Sequence, residues 1–398
     1  MTGAILTLNA GSSSIKFALY QAAHLDAMLR GEIETLDGAP HLLARAPGGA
    51  ILAERSWPKN ATGGFDVVLH ALLDFVDAHL DNATLSAVGH RVVHGGADHA
   101  TPERVTPALL AALEALTPLD PLHMPMNLAP IRAISTARPT LPQVVCFDTG
   151  FHHDMPVLAQ LVALPRDVVG HTIRRYGFHG LSYEFIAGRL AEIAPARAKC
   201  RIIVAHLGSG ASLCALLDGR SIETTTGFSA LDGLVMATRC GTIDPGVLLY
   251  LAQQGHSLGD IEDMLYRRSG LLGVSGLSGD VRVLEASDAP SARLALDLFN
   301  YRIAGESGRL AAALGGLDML VFTAGVGEHA ASVRASVCTR LGWLGITLDL
   351  AANAASADVI STPGSLVEVR VIPTDEEAVI ARHTARVARV DAEHQISP

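Results

Sequence analysis

Asn9-Ala10-Gly11-Ser12-Ser13-Ser14-Ile15-Lys16 is the stretch from which the rest of the chain is read. Ala4-Ile5-Leu6-Thr7-Leu8 runs into it, short, apolar and partly β-branched, which predicts a buried strand. Ile15 to Tyr20 follows as a second strand, with Phe17 and Leu19 on the face opposite Lys16 and Ala18. The small polar run is therefore a turn between two strands. It is not a Walker loop, because the glycine spacing and the Gly-Lys-Ser/Thr ending are missing. Gly11 lets a ligand approach the backbone, Ser12 and Ser14 offer hydroxyl and N–H groups, and Lys16 supplies a mobile cation. Those residues suit a phosphate cradle and a plain hairpin turn alike, and by themselves leave both open.

Composition narrows the class. At 398 residues the chain is too long for one ordinary core, so two domains are expected. Apolar residues make up 49% of the chain, yet no uncharged run reaches membrane-spanning length. No basic segment precedes the first apolar run, which predicts the absence of a secretory signal. Cys146, Cys200, Cys214, Cys240 and Cys338 are scattered and form no Cys-x-x-Cys pair. That pattern predicts a cytoplasmic protein with neither a zinc site nor a disulfide framework. A formal net charge of −10 argues against a nucleic-acid surface, so an anionic substrate would need locally concentrated arginines.

Further along, 65–80 has the apolar spacing of an amphipathic helix. Val88 to Gly96 reads as a strand entering a glycine turn, with Arg91 between apolar neighbours. Thr106-Pro107 opens a helix to Leu116, and Asn127 opens another that stops before Pro139. Val144-Val145-Cys146-Phe147 ends in Asp148, where parallel α/β sheets collect ligands; an Asp capping the next turn fits as well. Arg174 to Gly180 is a polar-aromatic loop ahead of a helix over 182–193, and its His179 suits either core packing or an anion. Ile202 to His206 is a strand emptying into Leu207-Gly208-Ser209-Gly210, followed by a hairpin turning at Asp218-Gly219. Strand, small-residue turn, strand thus recurs in the second half, the layout expected of a nucleotide held between two related domains. Thr238-Arg239-Cys240-Gly241, Asp280-Val281-Arg282, a long helix over 292–314 and a strand at 319–323 come next. Gly325-Val326-Gly327-Glu328-His329 is expected to be a third glycine loop; a strand over 367–372 and an amphipathic helix close the chain, the helix packing back on the first domain.

Asn-Ala-Gly-Ser-Ser-Ser-x-Lys from Asn9, Gly-His-Arg-Val-Val-His-Gly-Gly from Gly89, Phe-Asp-Thr-Gly-Phe-His from Phe147, Tyr-Gly-Phe-His-Gly from Tyr176 and Thr-Arg-Cys-Gly-x-Ile-Asp-Pro from Thr238 occur in one order. In these motifs, and in a match that extends from Asn9 to Glu377, the chain resembles the acetate kinase family of the acetate and sugar kinase/Hsp70/actin superfamily. The resemblance implies an α/β, two-domain actin-like ATPase (ribonuclease H-like) fold with a nucleotide cleft between duplicated domains. Domain I would hold 1–149 and 375–398; domain II would hold 150–374 and the dimer contact. It also implies reversible transfer of the ATP γ-phosphoryl group to a short carboxylate.

Carried over by residue, the resemblance gives Asn9 and Glu376 to Mg²⁺ (with Mn²⁺ as an alternative), and Lys16, with Ser12 and Ser14, to the phosphates. Arg91 would bind the carboxylate in a pocket with Val93, Leu122, Phe178 and Ala230. Asp148, His179 and Arg239 would act on the transition state, Asp148 as an organiser more than a base, because a carboxylate nucleophile is already ionised. His206, Leu207, Gly208, Ser209 and Gly210, then Asp280, Val281 and Arg282, then Gly325, Val326, Gly327, Glu328 and His329 would form the ATP/ADP site. Five positions depart from the family pattern. Ser209 and His329 replace Asn, Val281 replaces Phe, Asp375 replaces Asn, and Ala230 replaces Pro, which leaves room for propionate. An actin- or Hsp70-like binding module would need the phosphate loops but not Arg91, His179 and Arg239 together.

Overall fold

The computed structural model describes residues 3–11, 14–34, 39–58, 64–80 and 82–394, so Ser12 lies outside the described residues. The chain divides into two compact units, Met1–Gly150 with Asp375–Pro398, and Phe151–Thr374.

In the first unit β1 (Gly3–Ala10) and β2 (Ile15–Gln21) form the expected hairpin. β3 (Ala27–Glu34), β4 (His41–Arg45) and β5 (Ile51–Ser56) extend it antiparallel. Nothing in the sequence analysis anticipates these three strands. The outermost, β5, has no buried residue, so it lacks the alternation that marks a half-buried strand. After α1 (Gly64–Ala78), β6 (Thr84–Val92) joins parallel to β1. The short β7 (Glu103–Arg104), α2 (Pro107–Ala115) and α3 (Met124–Ala137) lead to β8 (Gln143–Phe147), parallel to β6. The Thr106 side chain accepts from Leu109 N, as a helix N-cap does. α3 starts three residues earlier than expected and keeps Pro130 inside. Ile15, Phe17 and Leu19 pack on Leu69, Leu72 and Val76 of α1, while Ala18 and Tyr20 face Ala381 across the sheet.

The second unit begins with the short α4 (Val157–Gln160) and α5 (Arg166–Val169), then α6 (Gly180–Ile193). β9 (Ile202–Leu207), β10 (Ala211–Leu217) and β11 (Arg220–Thr224) follow as an antiparallel meander. Its turn holds Asp218 and Gly219 at φ 52° and 73°, the positive values a two-residue hairpin requires. α7 (Pro245–Gln253), α8 (Leu258–Arg267), α9 (Gly270–Ser275), α10 (Val281–Glu285) and the 25-residue α11 (Pro290–Leu314) intervene before β12 (Met319–Thr323). The expected third glycine loop is instead a helix, α12 (Ala324–His329), beginning where β12 ends. α13 (Ala331–Arg340), α14 (Leu350–Ala354) and β13 (Glu368–Val371) complete the unit. Its sheet, β11-β10-β9-β12-β13, repeats the order and directions of β3-β2-β1-β6-β8. Phe299 and Ile303 of α11 cover one face; Tyr183, Ile186 and Leu190 of α6 cover the other.

The final helix, α15 (Glu376–His394), belongs to the first unit and lies on β1, β6 and β8. Gly89 permits that approach, since a Cβ there would overlap Ile380 and Thr384. Among the described residues no helix is long and apolar enough to cross a membrane.

Candidate active site

Three parallel strands of the first unit end together, and each contributes a polar residue: Asn9 from β1, Arg91 from β6 and Asp148 just past β8. Ligands in open α/β sheets bind at this end. The Arg91 Nε and Nη2 donate to Asp148 Oδ2 at 2.9 and 2.5 Å, and its Nη1 donates to Asn9 Oδ1 at 3.1 Å. Asn9 Nδ2 donates to Glu376 Oε2 at 3.0 Å and to Glu377 Oε1 at 3.4 Å. Lys16 pairs with Asn9 across the β1–β2 hairpin. Arg91 is therefore not a surface arginine: its side chain is 15% exposed and that of Asp148 fully buried.

Burial opposes the Arg91 charge, but the Asp148 and Glu376 carboxylates outweigh it and hold the guanidinium above its ordinary range. Glu376 is pushed up to about 7, first by burial and then by Asp148 and Glu377, against the pull of Arg91. A divalent cation would relieve this crowding. Asp148 Oδ1 is buried without a hydrogen-bond partner and is free to meet a metal-bound water. Among the described residues no three His, Cys, Asp or Glu side chains are grouped to enclose a metal. The charge that Asp375 brings in place of Asn is met by Arg30 at 2.5 Å, and its carboxylate caps α15 by accepting from Ala378 N.

In the second unit the β9–β10 turn and the start of α6 bring His206, Gly210, His179 and Arg239 together. His179 caps α6 at φ 59°, a left-handed conformation costly for a non-glycine residue. Its ring stacks on His206 with centroids 4.2 Å apart, and its Nδ1 lies 2.8 Å from Ser212 Oγ. A Cβ on Gly210 would sit 2.8 Å from Arg239 Nη2 and 3.2 Å from His179 Nε2, so a larger residue there would displace these side chains. Arg239 Nη1 donates to the Ala230 carbonyl at 2.9 Å, and Ala237 N donates to the Ser209 carbonyl. Gly208 N donates to the Gly210 carbonyl, closing the turn, while Leu207 points into the core.

The remaining expected nucleotide contacts adjoin that turn: α12 packs on β9, and Gly279 lies against the backbone of Ala237. Asp280 caps α10 and pairs with the exposed Arg282, while Val281 packs into the core. Gly325, Val326, Gly327, Glu328 and His329 form α12, and the Glu328 carboxylate accepts from Thr374 N. Ser14 accepts from Gly11 N in the first hairpin turn. Of the residues expected to line an acyl pocket, Val93 and the half-buried Leu122 belong to the first unit, and the buried Phe178 and Ala230 to the second.

Sequence reasoning missed the residues that hold these groups. His152 lies 3.0 Å from the Phe178 carbonyl and 2.8 Å from Ser221 Oγ, and burial lowers it to about 4, so its ring is neutral. The buried Arg334 grips the Gly327 and Glu328 carbonyls. A polar residue inside an apolar strand, such as Ser212 in β10, was the available signal.

A family model described as the acetokinase family matches residues 4–382. The chain is 52% identical over 398 residues to an acetate kinase of Rhodopseudomonas palustris, covering 98% of this chain and 99% of that one. The crystal structure of Porphyromonas gingivalis acetate kinase aligns at TM-score 0.85 and 37% identity, over 97% and 99% of the two chains. A propionate kinase structure from Francisella tularensis aligns at TM-score 0.89 and 36% identity, over 97% and 100%.

Proposed function

The chain belongs to the acetokinase family, with its actin-like fold, and from that premise we propose that it is an acetate kinase. It transfers the γ-phosphoryl group of ATP to acetate, reversibly, giving acetyl phosphate and ADP. A carboxylate oxygen of acetate forms the new bond to phosphorus. The bond to the β–γ bridging oxygen breaks, and its electron pair leaves with ADP. The observation that carries this reading is Arg91, held by Asp148 and Asn9 at the strand ends, in a chain that also places Arg239 and His179 against Gly210.

Acetate arrives ionised, so the protein's task is to bind and orient it and to spread positive charge over the equatorial oxygens. Arg91 offers its guanidinium to the carboxylate. Asp148 fixes that guanidinium from behind and organises rather than deprotonates. Arg239, braced on the Ala230 carbonyl, and His179 donate to the transferring group. Lys16, Ser12, Ser14, the 206–210 turn, the 280–282 cap and α12 receive the nucleotide. Glu376 and Asp148, with Asn9 beside them, would hold Mg²⁺ or Mn²⁺, which when bound neutralises the β- and γ-phosphate oxygens.

The small Ala230 favours propionate as a second acceptor. The apolar segment of Val157, Leu158, Leu161, Leu164 and Val168, exposed by 49–87%, favours a homodimer formed through the second unit. All five cysteines are free, which agrees with a cytoplasmic setting, and neither nucleic acid nor membrane enters the reading.

Trapping the acyl phosphate with hydroxylamine tests the assignment. Hydroxamate should accumulate with ATP, acetate and Mg²⁺ together and fail to form when any one is omitted. ATP hydrolysis without hydroxamate would leave a nucleotide-binding module instead.

A further inference from the structure

We infer that Tyr183 and Ser212 set the tautomer of His179, placing its single ring proton on Nε2 so that it donates into the space shared with Arg239. The inference rests on the role given to His179 above and adds two positioning residues that touch neither substrate nor nucleotide.

Ser212 sits on β10 opposite His206 on β9, and both are buried. Its Oγ lies 2.8 Å from His179 Nδ1 and 2.5 Å from the Tyr183 hydroxyl, and the Tyr183 side chain is entirely enclosed. A phenol is a far stronger acid than an aliphatic hydroxyl, so the short bond runs from Tyr183 Oη–H to Ser212 Oγ. Serine has one proton to give, and with its oxygen accepting from tyrosine that proton is directed to His179 Nδ1. Nδ1 then accepts, which leaves the ring hydrogen on Nε2. Nε2 is the atom 3.2 Å from where a Cβ on Gly210 would stand, and Arg239 Nη2 is 2.8 Å from the same point. Both nitrogens therefore border the same opening beside Gly210, where hydrogen-bond donors would serve a developing phosphoryl charge.

The arrangement also accounts for the backbone of His179. Its left-handed φ of 59° is a strain that the surrounding structure must hold. His206 stacked at 4.2 Å blocks one side of the ring, and Ser212 fixes its rotation from the edge.

The imidazole nitrogens report the tautomer directly. In ¹⁵N-histidine-labelled protein, with the His179 signals assigned by their loss in His179→Gln, Nε2 should give a protonated, pyrrole-type signal and Nδ1 a pyridine-type one. In Ser212→Ala this preference should weaken. The kcat should fall by about tenfold or more, as expected when a donor is no longer held in place. The KM values for ATP and acetate should stay within about twofold, because uniform binding is untouched. Ser212→Thr keeps the hydroxyl and should restore both kcat and spectrum; Tyr183→Phe should reproduce part of the loss. A wild-type spectrum with the proton on Nδ1 overturns the inference, as does a folded Ser212→Ala enzyme with unchanged kcat. Should Ser212→Ala fail to fold, the wild-type spectrum still decides. A failure of the kinase assignment would appear as missing hydroxamate, with the tautomer signals unmoved.

Discussion

On the proposed function Arg91 answers two demands at one position: it would bind the carboxylate substrate, and it offsets the charge of three neighbouring carboxyl groups. Arg91→Ala should lower kcat by on the order of 10²-fold or more and raise the KM for acetate, since the substrate's charge partner is lost. It should also lower the melting temperature, because Asp148 and Glu376 would remain buried without their guanidinium. Arg239→Ala should match the loss in kcat with a smaller loss of stability, because Arg239 braces on a carbonyl. Steady-state kinetics paired with thermal melts separate the two, and near-normal turnover in folded Arg239→Ala would remove it from the mechanism. At Ala230 the question is volume. An extra methylene buried there is worth about 0.8 kcal/mol, so propionate should be used with kcat/KM within about tenfold of acetate. Ala230→Pro should restore the preference for acetate while leaving the carbonyl that Arg239 uses. Strong rejection of propionate by the wild-type enzyme would mean that neighbouring side chains already fill the gap.

Among the elements, α12 is the least expected. Its six residues include two glycines, poor helix formers, so propensity alone points to a loop. Arg334 supplies what propensity lacks. Fully buried on α13, it donates to the Gly327 and Glu328 carbonyls at 2.9 and 2.8 Å and to Asn353 Oδ1 at 2.8 Å. These bonds satisfy carbonyls that a short helix leaves exposed at its end. Burial pulls the Arg334 pKa down. Arg334→Met should leave those carbonyls unsatisfied, at about 1–3 kcal/mol each. The KM for ATP should rise several-fold while that for acetate holds. An unchanged KM for ATP in a folded variant would separate α12 from nucleotide binding.

For the whole molecule, pH acts through buried histidines. His90 and His94 in the first unit and His152 in the second are each lowered by burial to about 4. Between about pH 6.5 and 4 the unfolded chain binds protons that the folded chain excludes, so stability present above that window is lost as pH falls. Glu376 works the other way between about pH 7 and 4.5, because its folded carboxyl keeps a proton that the unfolded one releases. Three groups outweigh one, so the urea midpoint should drop from pH 7 to pH 5 without divalent cations; a rise would show that the histidines are protonated in the fold. The exposed 157–168 segment bears on assembly. Leu158→Asp should shift the protein to a monomer on size-exclusion chromatography, and an unchanged elution volume would place the contact elsewhere.

Local chemistry by itself determined much of this protein. The β1–β2 and β10–β11 hairpins, the Thr106 cap and the strands ending at Asp148 and Thr323 are each written in neighbouring residues, because turn preference, capping and apolar runs act over a few positions. The ordered motifs likewise pointed to the family. Tertiary structure alone decided the rest. β3, β4 and β5 exist because an edge was available to pair with; Arg91 is a buried ion-pair partner because β6 and β8 lie side by side. Asp375 is neutralised by Arg30, some 345 positions earlier in the chain. His179 gains its orientation from Ser212 and Tyr183, which come from a strand and a helix that meet only after folding. Charge and hydrogen-bond partners act through space, and spacing along a chain records only those partners that local structure already keeps close.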